Sequence, residues 1–255
     1  MTGIADLIAL VEAQSAGVLG TFLRVAALMA LLPGFGERSI PVRVRLVLAI
    51  ALTAVVAPAA ANLYPVAPSG PGAALYLTET AAGLAMGAGL RILVHVLQIA
   101  ATMAAQSVSL SQILGTQAAD PQPAMGHVLV MGGLALAMTA GLHVKVVEFI
   151  LRSYEILPAG RMPLASELAP WGIARVADSF GLAFVLAAPF VVTSLVYNLA
   201  LGAINRAMPQ LMVAFIGAPA ITLGGLVLFA VTAPLLLSLW LAALDGFLAN
   251  PAAPG

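Results

Sequence analysis

The sequence predicts an all-α, polytopic membrane-type protein built of long, kinked helical hairpins, and three observations carry that reading. Of the 255 residues, 62% are hydrophobic and only 8% are charged, against roughly 25% charged in soluble domains. Acids and bases balance at ten each, so no excess charge keeps the chain dispersed, and a water-soluble fold would expose large apolar patches. The apolar residues run in stretches near the ~20 residues that a bilayer-spanning helix needs, with no strand-like alternation. The solvent of this chain is therefore lipid or tightly fitting protein. Zero net charge leaves no basic footprint for nucleic acid. The absence of cysteine excludes disulfides, thiolate nucleophiles and Cys-type zinc sites. Asp6 and Glu12 precede the first base, Arg24, so the N-terminus lacks the basic n-region of a cleavable signal.

Segment one runs from about Val11 to Leu32 and is stopped by Pro33, Gly34, Phe35 and Gly36, since Pro and Gly oppose helix continuation. A polar loop, Glu37 to Arg45, is expected next and holds Arg38, Arg43 and Arg45; its positive charge assigns it to the cytoplasm and the N-terminus to the outer side. Segment two, Leu46 to Ala61, ends in a turn with Pro58, Pro65, Pro68 and Pro71. Segment three, Ala73 to Val108, exceeds one straight span and predicts a long tilted helix or a break. Segment four covers His127 to Leu157 and becomes charged in its second half. A soluble-looking connection follows, Pro158 to Asp178, then segment five, Ser179 to Asn205. Segment six, Gln210 to Leu244, contains Pro219 and Pro234 and reads as two half-helices or a hairpin. Hydropathy thus gives about six spans.

Gly83 and Gly87, with Gly89 beyond, form a small-xxx-small stripe at which helix backbones can approach closely. Four ions stand inside apolar runs: Arg24, Glu79, Arg91 and Arg206. Such charges face a bundle interior, a partner or water. Glu79 lies near the start of its segment, where an interfacial place is equally open. Lys145, Glu148, Arg152 and Glu155 stand three or four apart and read as an interfacial salt-bridge ladder. His95, His127 and His143 have no second ligand at metal-site spacing. Ser107, Ser109 and Ser111 lack a nucleophile-elbow context, and neither a phosphate loop nor a dinucleotide fingerprint is present. Nothing points to an enzyme or a cofactor.

Four stretches, taken in order, resemble the FliR family of flagellar biosynthetic proteins, shared with the matching subunit of injectisome secretion systems. The first is FLRVAALMALLPGFGERSIPVRVRLVLAIALTAVVAP, Phe22 to Pro58, with Arg24, Pro33, Gly36, Pro41, Arg43 and Arg45 in the motif positions. The second is ETAAGLAMGAGLRILVHVLQIA, from Glu79 through Gly83 and Arg91 to Ala100. The third is GLHVKVVEFILRSYEILPAG, Gly141 to Gly160, and the fourth GAINRAMPQLMVAFIGAP, Gly202 to Pro219, with Asn205, Arg206, Pro209, Gln210 and Pro219. The resemblance implies one domain over residues 1–255. It implies a core subunit of the type III export gate at the flagellar basal body in the bacterial inner membrane. The implied partners are FliP-like and FliQ-like subunits and an FlhB-like switch subunit, which together pass unfolded export substrates. It also implies a channel plug near 106–123: Gln106, Ser109, Ser111, Gln112, Gly115, Gln117, Asp120 and Pro121. The chain departs from the family there, reading SLSQILGTQAA before Asp120, and again after Pro219, where Ile221 and Thr222 stand in place of a frequent lysine. A small secondary transporter is the alternative from composition; it would need an inverted repeat and a midplane carboxylate, for which Glu79 is the sole candidate. A membrane-embedded enzyme would need clustered His, Asp or Glu within spans.

Overall fold

The computed structural model describes residues 2–36, 40–64, 72–109, 122–208 and 213–252. Among these the chain is helical throughout, with no strand. Its helices are α1 (Thr2–Leu31), α2 (Val42–Ala60), a 3-10 turn (Ala61–Leu63), α3 (Ala73–Ser109), α4 (Gln122–Thr139), α5 (Leu142–Ile156), α6 (Ala165–Ala207) and α7 (Val213–Ala249). Four are long and apolar enough to cross a membrane, and the broken α4–α5 pair counts as a fifth span if taken together. Within the first expected segment, Ser15–Leu31 of α1 is an apolar helix as well.

The long helices correct several expected boundaries, and one physical reason covers them. In an apolar solvent each break in a helix leaves backbone N–H and C=O groups without partners, whereas one proline removes a single N–H. Helix α7 accordingly runs through Pro219 and Pro234 as one piece of 37 residues, not as a hairpin. Helix α3 is one unbroken helix of 37 residues, the first of the two forms expected for segment three. Helix α6 begins at Ala165 and spans 43 residues, absorbing much of the connection expected over Pro158 to Asp178. Arg43 and Arg45 lie in the first turn of α2 rather than in a loop; Glu37 and Arg38 fall outside the described residues.

Where the chain does break, glycine marks the place. Segment four ends its first helix at Thr139 and resumes at Leu142 around Gly141, whose φ of 83° is left-handed. The Gly141 N–H donates to the Met138 carbonyl at 3.1 Å, and its own carbonyl accepts from Val144 and Lys145. One residue thus closes α4 and opens α5. A Cβ at Gly141 would meet nothing within 4 Å, so Gly141→Ala should cost only backbone strain, about 1–2 kcal/mol. A thermal-shift measurement in detergent checks this: an unchanged midpoint would show that the left-handed turn is absent. Gly36 serves α1 in another way. Its N–H donates to Leu32 at 2.6 Å, and a Cβ there would come 2.5 Å from the Ala30 carbonyl oxygen.

The helices sort into two compact units. The first comprises Met1–Ile92, Met138–Val176 and Leu244–Gly255, so it holds α1, α2, α5 and end segments of α3, α6 and α7. Here α2 lies against α1 and α5, burying Ala49, Thr53, Val56, Ala57 and Ala60, a single stripe at helical spacing. Gly83 and Gly87 supply the close approach expected of them, and the neighbour is α1. A Cβ on Gly83 would run into the Arg24 backbone carbonyl, and one on Gly87 would lie 3.0 Å from the Leu28 carbonyl oxygen. The second unit comprises Leu93–Ala137 and Ala177–Ala243. Its core centres on fully buried Trp240, which donates its indole N–H to the Leu93 carbonyl at 2.7 Å. The indole lies against Gly133, where a Cβ would approach Trp240 to 3.2 Å.

Candidate functional site: a buried arginine–glutamate node

The most polar interior feature lies in the first unit. Arg24, on α1, is 1% exposed and Glu79, on α3, is fully buried. They form a two-pronged ion pair, with Arg24 Nε 2.7 Å from Glu79 Oε2 and Nη2 3.2 Å from Oε1. Two buried charges are tolerated only when their remaining polar atoms are also paired, and here each guanidinium nitrogen and both carboxylate oxygens have partners. Arg24 Nη1 donates to Ser153 Oγ at 3.1 Å, and Nη2 donates to the Leu157 carbonyl at 2.8 Å. The guanidinium also lies 3.8 Å above the centre of the Tyr154 ring, a cation–π contact. Glu79 accepts further bonds from the Gly160 N–H at 3.1 Å and the Tyr64 hydroxyl at 3.2 Å.

A chain of hydroxyls extends the node. Thr21 Oγ1 donates to the Tyr64 hydroxyl at 3.1 Å, and the Tyr154 hydroxyl lies 2.9 Å from Tyr64 and 3.3 Å from Thr21. Burial, reinforced by the Tyr154 neighbour, pushes the Tyr64 phenol far above its usual range. Tyr64 therefore stays protonated and remains a donor to the carboxylate. Its ring fits against α1 because Gly17 and Gly20 leave room; a Cβ on Gly20 would lie 2.8 Å from Tyr64 Cε1.

The turn after α5 explains the sequence Leu157-Pro158-Ala159-Gly160. The Arg161 N–H donates to the Pro158 carbonyl at 3.2 Å, and Gly160 takes φ of 75°, the left-handed position that such a turn reserves for glycine. This geometry aims the Leu157 carbonyl at Arg24 and the Gly160 N–H at Glu79. Three of the four family-like stretches therefore meet at one place: the first through Arg24, the second through Glu79 and Gly83, the third through Ser153, Leu157 and Gly160.

The other expected site residues are dispersed. Pro33 and Gly36 end α1, and Pro41 stands immediately before α2. Arg43 is exposed, while Arg45 donates to the Ile40 carbonyl at 3.4 Å. Arg91 is half-buried on α3. Asn205 and Arg206 are exposed at the end of α6, and Pro219 is exposed on α7. Pro209 and Gln210 lie outside the described residues, as do Ser111, Gln112, Gly115, Gln117, Asp120 and Pro121 of the expected plug. Gln106 is exposed near the end of α3, and Ser109 is that helix's last residue. The ladder expected along α5 gives way to longer reaches: Lys145 pairs with Asp245 of α7 at 2.7 Å, and Arg152 donates to the Ala249 carbonyl at 2.6 Å. An arginine at a helix C-terminus satisfies an orphan carbonyl and complements the helix dipole. The Lys145 and Asp245 side chains are 32% and 41% exposed, so Lys145→Met should cost under about 1 kcal/mol. That difference should shrink further in high salt, as thermal shifts at two ionic strengths would reveal.

Residue reasoning from the sequence singled out Arg24 and Glu79 but did not pair them, and it missed Tyr64, Thr21, Ser153 and Tyr154. The available signal was charge: two ions of opposite sign, each alone in an apolar run, are candidates for one another. The model of the bacterial export proteins, family 1, matches residues 16–247. The chain belongs to that family. It is 34% identical to the flagellar biosynthetic protein FliR of Caulobacter vibrioides over 86% of this chain and 89% of that protein. It is 31% identical to the protein of the same name from Escherichia coli, over 84% and 83%. This membership bears out the resemblance read from the four stretches, and with the span-length helices it makes the chain a membrane component of a bacterial export apparatus.

Proposed function

We propose that the chain is a core subunit of the flagellar type III export gate in the inner membrane. In this reading it assembles with FliP-like and FliQ-like subunits into a channel for unfolded flagellar proteins, and an FlhB-like switch subunit joins it. The observation that carries the reading is the family match across residues 16–247, with both named relatives described as flagellar. Surface chemistry supports it. Only 11% of the apolar window of α7 is buried by the rest of the chain, against 50% for α3. The apolar part of α6, residues 179–205, is about 40 Å long, more than the ~30 Å hydrocarbon core, so apolar surface extends beyond what lipid alone covers.

The transporter alternative loses its carboxylate. Glu79 already accepts from Arg24, Tyr64 and Gly160, which commits both its oxygens to joining α1, α3 and the turn after α5. Co-expression with FliP-like and FliQ-like chains tests the assembly: a stoichiometric complex should co-purify, and a dispersed monomer would sink the reading. Residues 106–123 are proposed as the plug by position, continuing from the exposed Gln106. Deleting residues 109–122 should then make the closed channel leak small ions, and unchanged conductance would count against that assignment.

A further inference from the structure

Within the second unit, α3 and α7 lie side by side and antiparallel. The Trp240 indole reaches the Leu93 carbonyl, and about four helical turns from that contact, onward along α3 and back along α7, Val108 faces Gly225. Helix α4 returns beside α3, where a Cβ on Gly126 would lie 3.7 Å from the Ala101 Cβ. The last turn of α3 is thus held from two sides, and it is the turn from which residues 106–123 depart.

The contact with α7 needs a glycine. Gly225 is buried, and a Cβ there would stand 2.7 Å and 2.9 Å from the two Val108 methyls and 3.4 Å from the Val108 Cβ. Valine is stiff at χ1 in a helix, and each of its three rotamers leaves at least one methyl in the notch. A side chain at Gly225 therefore cannot be met by a side-chain swing, and the end of α3 must lift from α7. The adjacent Gly224 is exposed, and a Cβ there would meet nothing within 4 Å. Of the two neighbouring glycines, only Gly225 is required by packing.

We propose that the Val108–Gly225 contact is a closing seat: it draws the last turn of α3 onto α7, fixes where the chain leaves α3, and is given up when the channel opens. The proposal rests on the plug reading above, with Gly225 as a positioning residue. Its test uses the full chain in its assembled complex and reads the resting small-ion leak per complex, with the 109–122 deletion as the open reference. Gly225→Ala should raise the leak about ten-fold, the factor that about 1.4 kcal/mol of overpacking represents. Gly225→Ala, Val108→Ala should return it to the parent value, because both methyls are gone and the two Cβ atoms then stand 3.4 Å apart. Gly224→Ala should leave it unchanged. A cysteine pair serves if the overpacked chain fails to assemble. The chain has no cysteine of its own, and the same 3.4 Å is close to the Cβ···Cβ separation of a disulfide, about 3.5–4.5 Å. Oxidation of Val108→Cys, Gly225→Cys should therefore join the two helices and stop export, and a reductant should restore it. Three results would overturn the seat: Gly225→Ala complexes as tight as the parent, a leak that Val108→Ala does not relieve, or export that continues through the joined pair. A 109–122 deletion that fails to leak would instead defeat the plug reading beneath it.

Discussion

Glu79→Ala is expected to destabilise the folded chain by about 3–5 kcal/mol, the usual penalty for stripping one partner from a buried ion pair. The substitution leaves the Arg24 guanidinium, 1% exposed, without its counter-ion. It also frees the Tyr64 hydroxyl and the Gly160 N–H, which donate to the same carboxylate. Against a typical stability of about 5–15 kcal/mol, that loss removes much of the margin, so the variant should accumulate poorly in membranes and become protease-sensitive. The double replacement Arg24→Met, Glu79→Leu should recover a large part of the loss, because no buried charge remains to be compensated. A Glu79→Ala variant with a parent-like thermal midpoint would show that the pair is not buried as described. A double variant no better than the single would mean that the surrounding hydrogen bonds, rather than the charges, dominate.

Gly83→Val should be comparably severe for a different reason. The first atom of any side chain at Gly83 runs into the Arg24 backbone carbonyl, and it would also lie 2.9 Å from Ala27 Cβ. Backbone cannot swing aside as a flexible side chain can, so α1 and α3 must separate. Separation pulls Arg24 from Glu79 and couples the packing defect to the electrostatic one. Overpacking alone costs about 1–3 kcal/mol. The ion pair adds to this in proportion to the displacement. Gly87 is the internal control, since its contacts with the Leu28 backbone and Leu31 Cβ start at 3.0 Å and ask for a smaller helix displacement than those at Gly83. Thermal midpoints should therefore fall in the order parent, Gly87→Ala, Gly83→Ala, Gly83→Val. An inverted order for the two alanine variants would contradict the described crossing.

Taken together, these two expectations suggest what the family-like stretches do physically. Arg24, Glu79 and the Leu157–Gly160 turn are far apart in sequence yet satisfy one another's hydrogen bonds. Their spacing along the chain therefore carries no motif of its own. Each residue could be noticed singly as a charge or a glycine in an apolar run, but the pairing depended on which helices cross. Tyr64 carried no signal, because an aromatic residue in an apolar sequence looks like ordinary core, and Tyr154 stood out only as part of the third family-like stretch.

Composition and periodicity by themselves determined that this chain is helical and membrane-embedded, since a charge content of 8% cannot solvate a soluble surface. Local chemistry also determined the stop after α1, at Pro33 to Gly36, whereas the break at Gly141, inside a stretch that reads as one segment, and the turn at Gly160 became visible only in the structure. Only the tertiary structure decided where helices continue. Pro219 and Pro234 read locally as breaks, yet α7 passes through both, because in apolar surroundings an unbroken helix leaves fewer backbone groups unpaired. Only the tertiary structure, likewise, turned Arg24 and Glu79 from two isolated costs into one satisfied pair. A buried charge is tolerable or ruinous according to what lies within about 3 Å of it, and that distance is a property of helix packing rather than of either residue.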